Sequence, residues 1–148
     1  MPPRFACFPA PLLGLLLLAA IPTASATIYA ERGFGERDGN GSIASDLNPA
    51  GLVAGIIMEE EGRRRAVTYQ HGRIRELGTL GGNEGFTKAI NTHGVVVGSA
   101  QRGDGYRRAF VYRPGTGMQE IGTLPGGRIS SATAINDAGL VVGASETE

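Results

Sequence analysis

"INTHGVVVG" at residues 90–98 has near copies in "LNPAGLVAG" at 47–55 and "INDAGLVVG" at 135–143. Asn48, Asn91 and Asn136 stand 43 and 45 residues apart, and the same spacing holds for Gly51, Gly94 and Gly139 and for Gly55, Gly98 and Gly143. Between the copies, "RIRELGTLGG" (73–82) returns as "GMQEIGTLPGG" (117–127), and "RRAVTYQ" (64–70) returns as "RRAFVYR" (107–113). Several segments that keep one order and one spacing define an internal repeat, which decides the architecture before any single element is assigned.

The turn inside each copy follows from its residues. A type I turn favours Asn at its first position and Gly where a positive φ is needed, and such a turn followed by a left-handed glycine is a common hairpin connection. "NPAG", "NTHG" and "NDAG" meet those demands, so Asn48, Asn91 and Asn136 with Gly51, Gly94 and Gly139 are expected to be structural turn residues, not ligands.

Each unit holds four short runs rich in β-branched, aromatic or small residues and separated by glycine-containing turns, the pattern of strands. In the middle unit these are "FTKAI", "VVVGSA", "RRAFVYR" and "MQEIGTL", expected to follow one another as an antiparallel meander. No glycine-free window shows a 3.6-residue period over ten or more positions, which argues against helix after the amino terminus. Runs such as "LVAGII" (52–57), "GVVVG" and "AFVY" are apolar on both faces, as strands covered on both sides require. The expected fold is therefore all-β, a partial β-propeller-like array of about 2.75 four-stranded antiparallel units with a period of 43–45 residues. Approximate unit boundaries are 39–82, 83–127 and a truncated 128–148; a β-solenoid or a flat array is the alternative. Closed propellers use roughly 4 to 8 blades, and an unclosed stack leaves sheet edges open to pairing. Either copies of the chain close the array, with "IYAERGFG" (28–35) completing the third unit to give a six-bladed dimer, or the chain is a truncated or decayed piece of a longer repeat protein.

Residues 1–26 have the form of a signal peptide helix: one positive charge at Arg4, a short apolar run "LLGLLLLAAI", and small residues at Ala24 and Ala26 before the expected cleavage. Domain 27–148 then loses Cys7, the only cysteine, and with it disulfides, thiol catalysis and thiolate metal sites. It also loses Arg4 and no acid, leaving 13 basic against 14 acidic residues, a balance that gives no general attraction to nucleic acid or anionic membranes. No stable membrane insertion is expected after cleavage, because the apolar run is too short to span a bilayer of roughly 30 Å.

No residue constellation reaches a catalytic, metal or cofactor pattern, and none is assigned. His71 and His93 sit in turns with no second ligand at metal spacing. "RDGNGS" (37–42) aligns Asp38, Asn40 and Ser42 like the start of a calcium loop, but Pro49 stands where the closing Glu belongs. "EEEGRRR" (59–65) sets acids against bases at a hairpin end. A more one-sided cluster, Arg102, Tyr106, Arg107, Arg108, Tyr112 and Arg113, is the candidate ligand surface, since arginine suits bidentate anion contacts and tyrosine can stack.

"ELGTLGG", "AINTHGVVVGSA", "RRAFVYRPGTGMQEIGTLPGG" and "ATAINDAGLVVGAS" resemble the HAF repeat of extracellular bacterial proteins. The family's His-Ala-Phe triplet reads Arg108, Ala109, Phe110 here, so no role of that histidine carries over. The resemblance implies a bacterial protein that is secreted or periplasmic, with a repeat fold and no assigned catalytic residue. The expected function is a non-enzymatic structural or binding role, with the chain itself and a glycan as candidate partners. The alternative is a carbohydrate-binding propeller lectin closed by oligomerisation, using Tyr69, Tyr112 and neighbouring arginines.

Overall fold

The computed structural model describes residues 41–147. The signal-like segment, Cys7, residues 28–35 and the Asp38 and Asn40 portion of the calcium-like stretch lie outside the described residues. The described part is all β, with open sheets and no α-helix among the described residues. A first antiparallel meander comprises β1 (Ser42–Leu47), β2 (Val53–Met58), β3 (Arg64–Gln70) and β4 (Arg73–Glu76). A second comprises β5 (Gly81–Ile90), β6 (Val96–Arg102), β7 (Arg107–Arg113) and β8 (Gly117–Gly122), and β9 (Ser130–Ile135) with β10 (Val141–Ser145) forms a hairpin. A single parallel bridge, Arg64 to Glu84, links the first two sheets.

The β1–β2, β5–β6 and β9–β10 connections are built alike. Gly51, Gly94 and Gly139 donate to the carbonyls of Asn48, Asn91 and Asn136 at 2.9, 3.0 and 3.0 Å, with φ of 75°, 75° and 81°. Beyond each turn the ladder breaks at a bulge, between Ala44 and Asp46, Thr87 and Ala89, and opposite Val142 and Gly143. Gly55, Gly98 and Gly143 pair with Ala44, Thr87 and Ala132 at these bulges. A Cβ on Gly98 would collide with the Phe86 carbonyl oxygen, and one on Gly143 with that of Ser131. These two glycines thus answer a close approach of backbone, not a dihedral demand. β5 also starts earlier than "FTKAI" suggests: it takes in Gly81 and Gly82, because Gly82 lies against the carbonyl of Gln101, where a Cβ would come within 2.7 Å.

The second sheet is covered on both faces. Val96, Ala100, Phe110 and Tyr112 pack with Ala54, Ala66, Leu77 and Ile90 of the neighbouring segments, while Val97, Ala109 and Val111 pack with Ala132 of the hairpin. Alternate residues of β6 and β7 therefore enter two separate cores, which explains runs that are apolar at every position. Burial of each large side chain contributes about 1.5–3 kcal/mol.

Polar groups tie the layers together. Asn48 accepts the amides of Ala50 and Leu52 on Oδ1 and donates Nδ2 to the Asn91 carbonyl at 3.1 Å. Asn91 accepts from His93 and Val95 and donates to the Asn136 carbonyl at 3.2 Å. The first two asparagines are only 2% and 5% exposed, so each amide is both the clamp of its own turn and a bond to the next sheet.

Candidate functional site

The arginine cluster is largely neutralised by carboxylates within the fold. Arg107 meets Glu84 at 2.7 Å and lies over the Phe86 ring, which Arg64 covers from a second direction while meeting the same Glu84 at 3.4 Å. Arg102 is 3.7 Å from both Asp104 and Glu120, and the buried Arg108 is 3.4 Å from Glu120. Tyr106 takes a 2.8 Å hydrogen bond from Arg128. Arg113 donates to Gln119 and has no ion pair among the described residues. Tyr112 leaves this group altogether: alternation on β7 turns its ring into the core with Phe110, and its edge opens on a different cleft. The acids that neutralise the cluster come from distant positions, Glu84 and Glu120 above all, which a linear reading of the β6–β7 hairpin passes over.

That cleft, of about 530 Å³, is lined by the first sheet and by the β5–β6 turn and β7 end of the second. In the β3–β4 ladder Thr68 faces Arg75 and Gln70 faces Arg73. Directly paired residues of antiparallel strands point to one face, so these four side chains form one wall. His71, at the tip of the β3–β4 turn with φ of 49°, borders it. Gly94, Tyr112 and Pro114 form the facing wall, and Leu52 fills the floor; a Cβ on Gly94 would come within 3.3 Å of Leu52 and 3.6 Å of Pro114.

Arg73 and Arg75 have no ion pair, hydrogen bond or ring contact among the described residues, and the cleft lining contains no carboxylate. The neighbouring acid on β4, Glu76, pairs with Val67 in the ladder, on the other side of the strand, and binds Arg65 at 2.7 Å. Glu59 reaches the same Arg65 at 2.7 Å, and these two carboxylates raise its pKa above the ordinary arginine value. Gln70 donates Nε2 to the Ala50 carbonyl at 2.9 Å, which leaves its Oε1 available. The sequence signal for this wall was the alternation of Arg73 and Arg75 on one short strand, visible only once β4 is paired with β3.

No protein-family model, curated protein or solved structure matches the chain. No group of three or more His, Cys, Asp or Glu side chains that could hold a metal exists among the described residues, and no described helix is long and apolar enough to cross a membrane. His93 sits beside Thr92 in the β5–β6 turn, where its backbone amide bonds Asn91.

A second surface stands out at the hairpin. Leu52 and Val95 follow equivalent turns and pack towards the next layer, and Ala54 and Val97, two residues on, are fully buried there. Their counterparts Leu140 and Val142 are 66% and 55% exposed. At the opposite end Leu47, counterpart of the buried Ile90, is 65% exposed. Ala109, Ile121, Leu124 and residues of β9 and β10 also border an apolar hollow of about 390 Å³.

Proposed function

We propose that the chain is an exported, non-enzymatic β-repeat protein with a structural or binding role in the periplasm, at the cell surface or outside the cell, and that copies associate head to tail. The observation that carries this reading is the series Ala54, Val97, Val142: the first two are closed by the following layer and the third faces solvent. A second copy that sets its Leu47 end against Leu140 and Val142 extends the contact already repeated twice within one chain. Asn136 Nδ2, which has no acceptor among the described residues, would then donate to the Asn48 carbonyl of that copy, as Asn48 and Asn91 do within the chain. Exposed apolar clusters of this kind mark interaction surfaces.

Such an interface is heterologous, so it closes into a ring if the rotation between copies allows and otherwise grows into a filament. A propeller-like ring of two copies is the closed form. Export rests on the charge, apolar run and small residues of 1–26. Light scattering across a concentration series should give a mass of two chains or more, and Leu140→Glu should return it to one. A folded monomer at every concentration refutes the association.

A further inference from the structure

We propose that the cleft between the first and second sheets binds an acidic oligosaccharide, with Arg73 and Arg75 taking its carboxylates. The site goes beyond the assembly reading and does not depend on it, because both walls come from a single chain.

Three observations carry the assignment. First, the two guanidinium groups are exposed, stand on one face of β4 about 7 Å apart at the backbone, and have no counter-charge among the described residues. Every other arginine from 63 to 108 has an acid partner there, and Arg113, which has no ion pair, donates to Gln119; Arg73 and Arg75 alone among these arginines have neither. Second, the arginines are not a requirement of the architecture. In the aligned stretch "GMQEIGTL" the positions of Arg73 and Arg75 are held by Gly117 and Gln119, and β8 forms on β7 without them. Third, the facing wall is not that of a simple anion trap. Tyr112, Pro114 and Leu52 offer apolar surface, and the Tyr112 hydroxyl makes no hydrogen bond to a described residue.

An inorganic anion would use the arginines and leave that wall idle. A sugar acid uses both: its carboxylate meets a guanidinium through two parallel N–H···O bonds, its apolar face lies against Pro114 and the exposed edge of Tyr112, and its hydroxyls meet Gln70 Oε1 and Tyr112 Oη. The volume of about 530 Å³ falls within the roughly 300–1,000 Å³ of small-ligand sites.

Calorimetric titration of the whole protein with a tetramer of galacturonic acid tests this, with the fully methyl-esterified tetramer and inorganic phosphate as the other arms. The free acid should bind, added salt should weaken it, and the ester, which keeps the sugar and loses the charge, should not bind. The double variant Arg73→Gln/Arg75→Gln should lower affinity by at least about tenfold per guanidinium removed. Arg113→Gln, outside the cleft, should leave it unchanged, and Tyr112→Phe should weaken it severalfold while the protein melts as before. Equal binding of the ester, displacement by phosphate at equal concentration, no binding at all, or a double variant that binds normally would each overturn the site. If the double variant does not fold, the ester and Tyr112→Phe arms decide. A monomeric mass would refute only the head-to-tail association and leave this titration intact.

Discussion

Replacing Asn91 by alanine isolates the amide that joins one sheet to the next. In the folded protein Asn91 Oδ1 accepts the His93 and Val95 amides, each at 3.0 Å, and Nδ2 donates to Asn136 at 3.2 Å. The side chain is 5% exposed, so water does not fully replace what is lost. Three hydrogen bonds at about 1 kcal/mol each give a loss of about 3 kcal/mol. Asn136→Ala provides the internal control: its side chain accepts from the Leu140 amide at 2.8 Å, at an exposed turn with no onward donation among the described residues. That loss should be about 0.5–1 kcal/mol. For a domain near 100 residues the two variants should melt about 12 °C and about 4 °C below the parent. Urea unfolding followed by far-UV circular dichroism, at a dilution where the protein is monomeric, measures both, with slopes that should match the parent's. If the two losses agree within about 0.5 kcal/mol, the bond between sheets contributes nothing and the ladder is only three separate turns.

Gly98→Ala should cost about 3 kcal/mol or more, because the new methyl meets the Phe86 carbonyl and strand backbone has little room to move; soluble yield and the melting curve check it. Phe110→Ala should cost about 3–5 kcal/mol by opening the core between the first two sheets, measured by the same unfolding curve. Hydrogen bonds from Thr92, its backbone amide at 3.0 Å first, hold the Asp137 carboxyl below the usual carboxylate range. A depressed folded value means that the stabilisation is complete above the unfolded pKa and is lost as pH falls through the folded one, so Asp137→Asn should flatten the acid side of the stability curve. A carbon-detected titration of Asp137 with an ordinary midpoint would contradict that.

The strands could be read from the chain because their causes are local. Three Val residues before Gly98, and Ala109 to Tyr112, are apolar at consecutive positions, and only a sheet with two covered faces uses such runs. The demand for a left-handed residue at Gly94 is likewise visible in "NTHG". The role of Gly98 was not visible, since its cause is a bulge on the opposite strand 11 residues earlier. The donation from Asn91 to Asn136 was hidden for the same reason: turn chemistry already accounts for an asparagine, and nothing local says that its second polar atom is also in use.

The arginines show how the same limit acts on a candidate site. "RGDGYRR" concentrates charge within a few residues, but apart from Asp104 its carboxylate partners sit on β5 and β8, and pairing brings them in. "RIRE" has an acid beside its bases and looks balanced in the chain, yet strand alternation separates them: Arg73 and Arg75 go to the cleft and Glu76 to Arg65 on the other side. Linear density of charge therefore ranks the two stretches in the opposite order to their unpaired guanidinium groups. What distinguishes a free cation from a paired one is the parity of its position on the strand relative to the nearest acid, combined with which face the neighbouring sheet covers. On β4 both conditions leave two guanidinium groups facing Tyr112 across an open cleft, and among the described residues no carboxylate lines that cleft to compete with a negatively charged ligand.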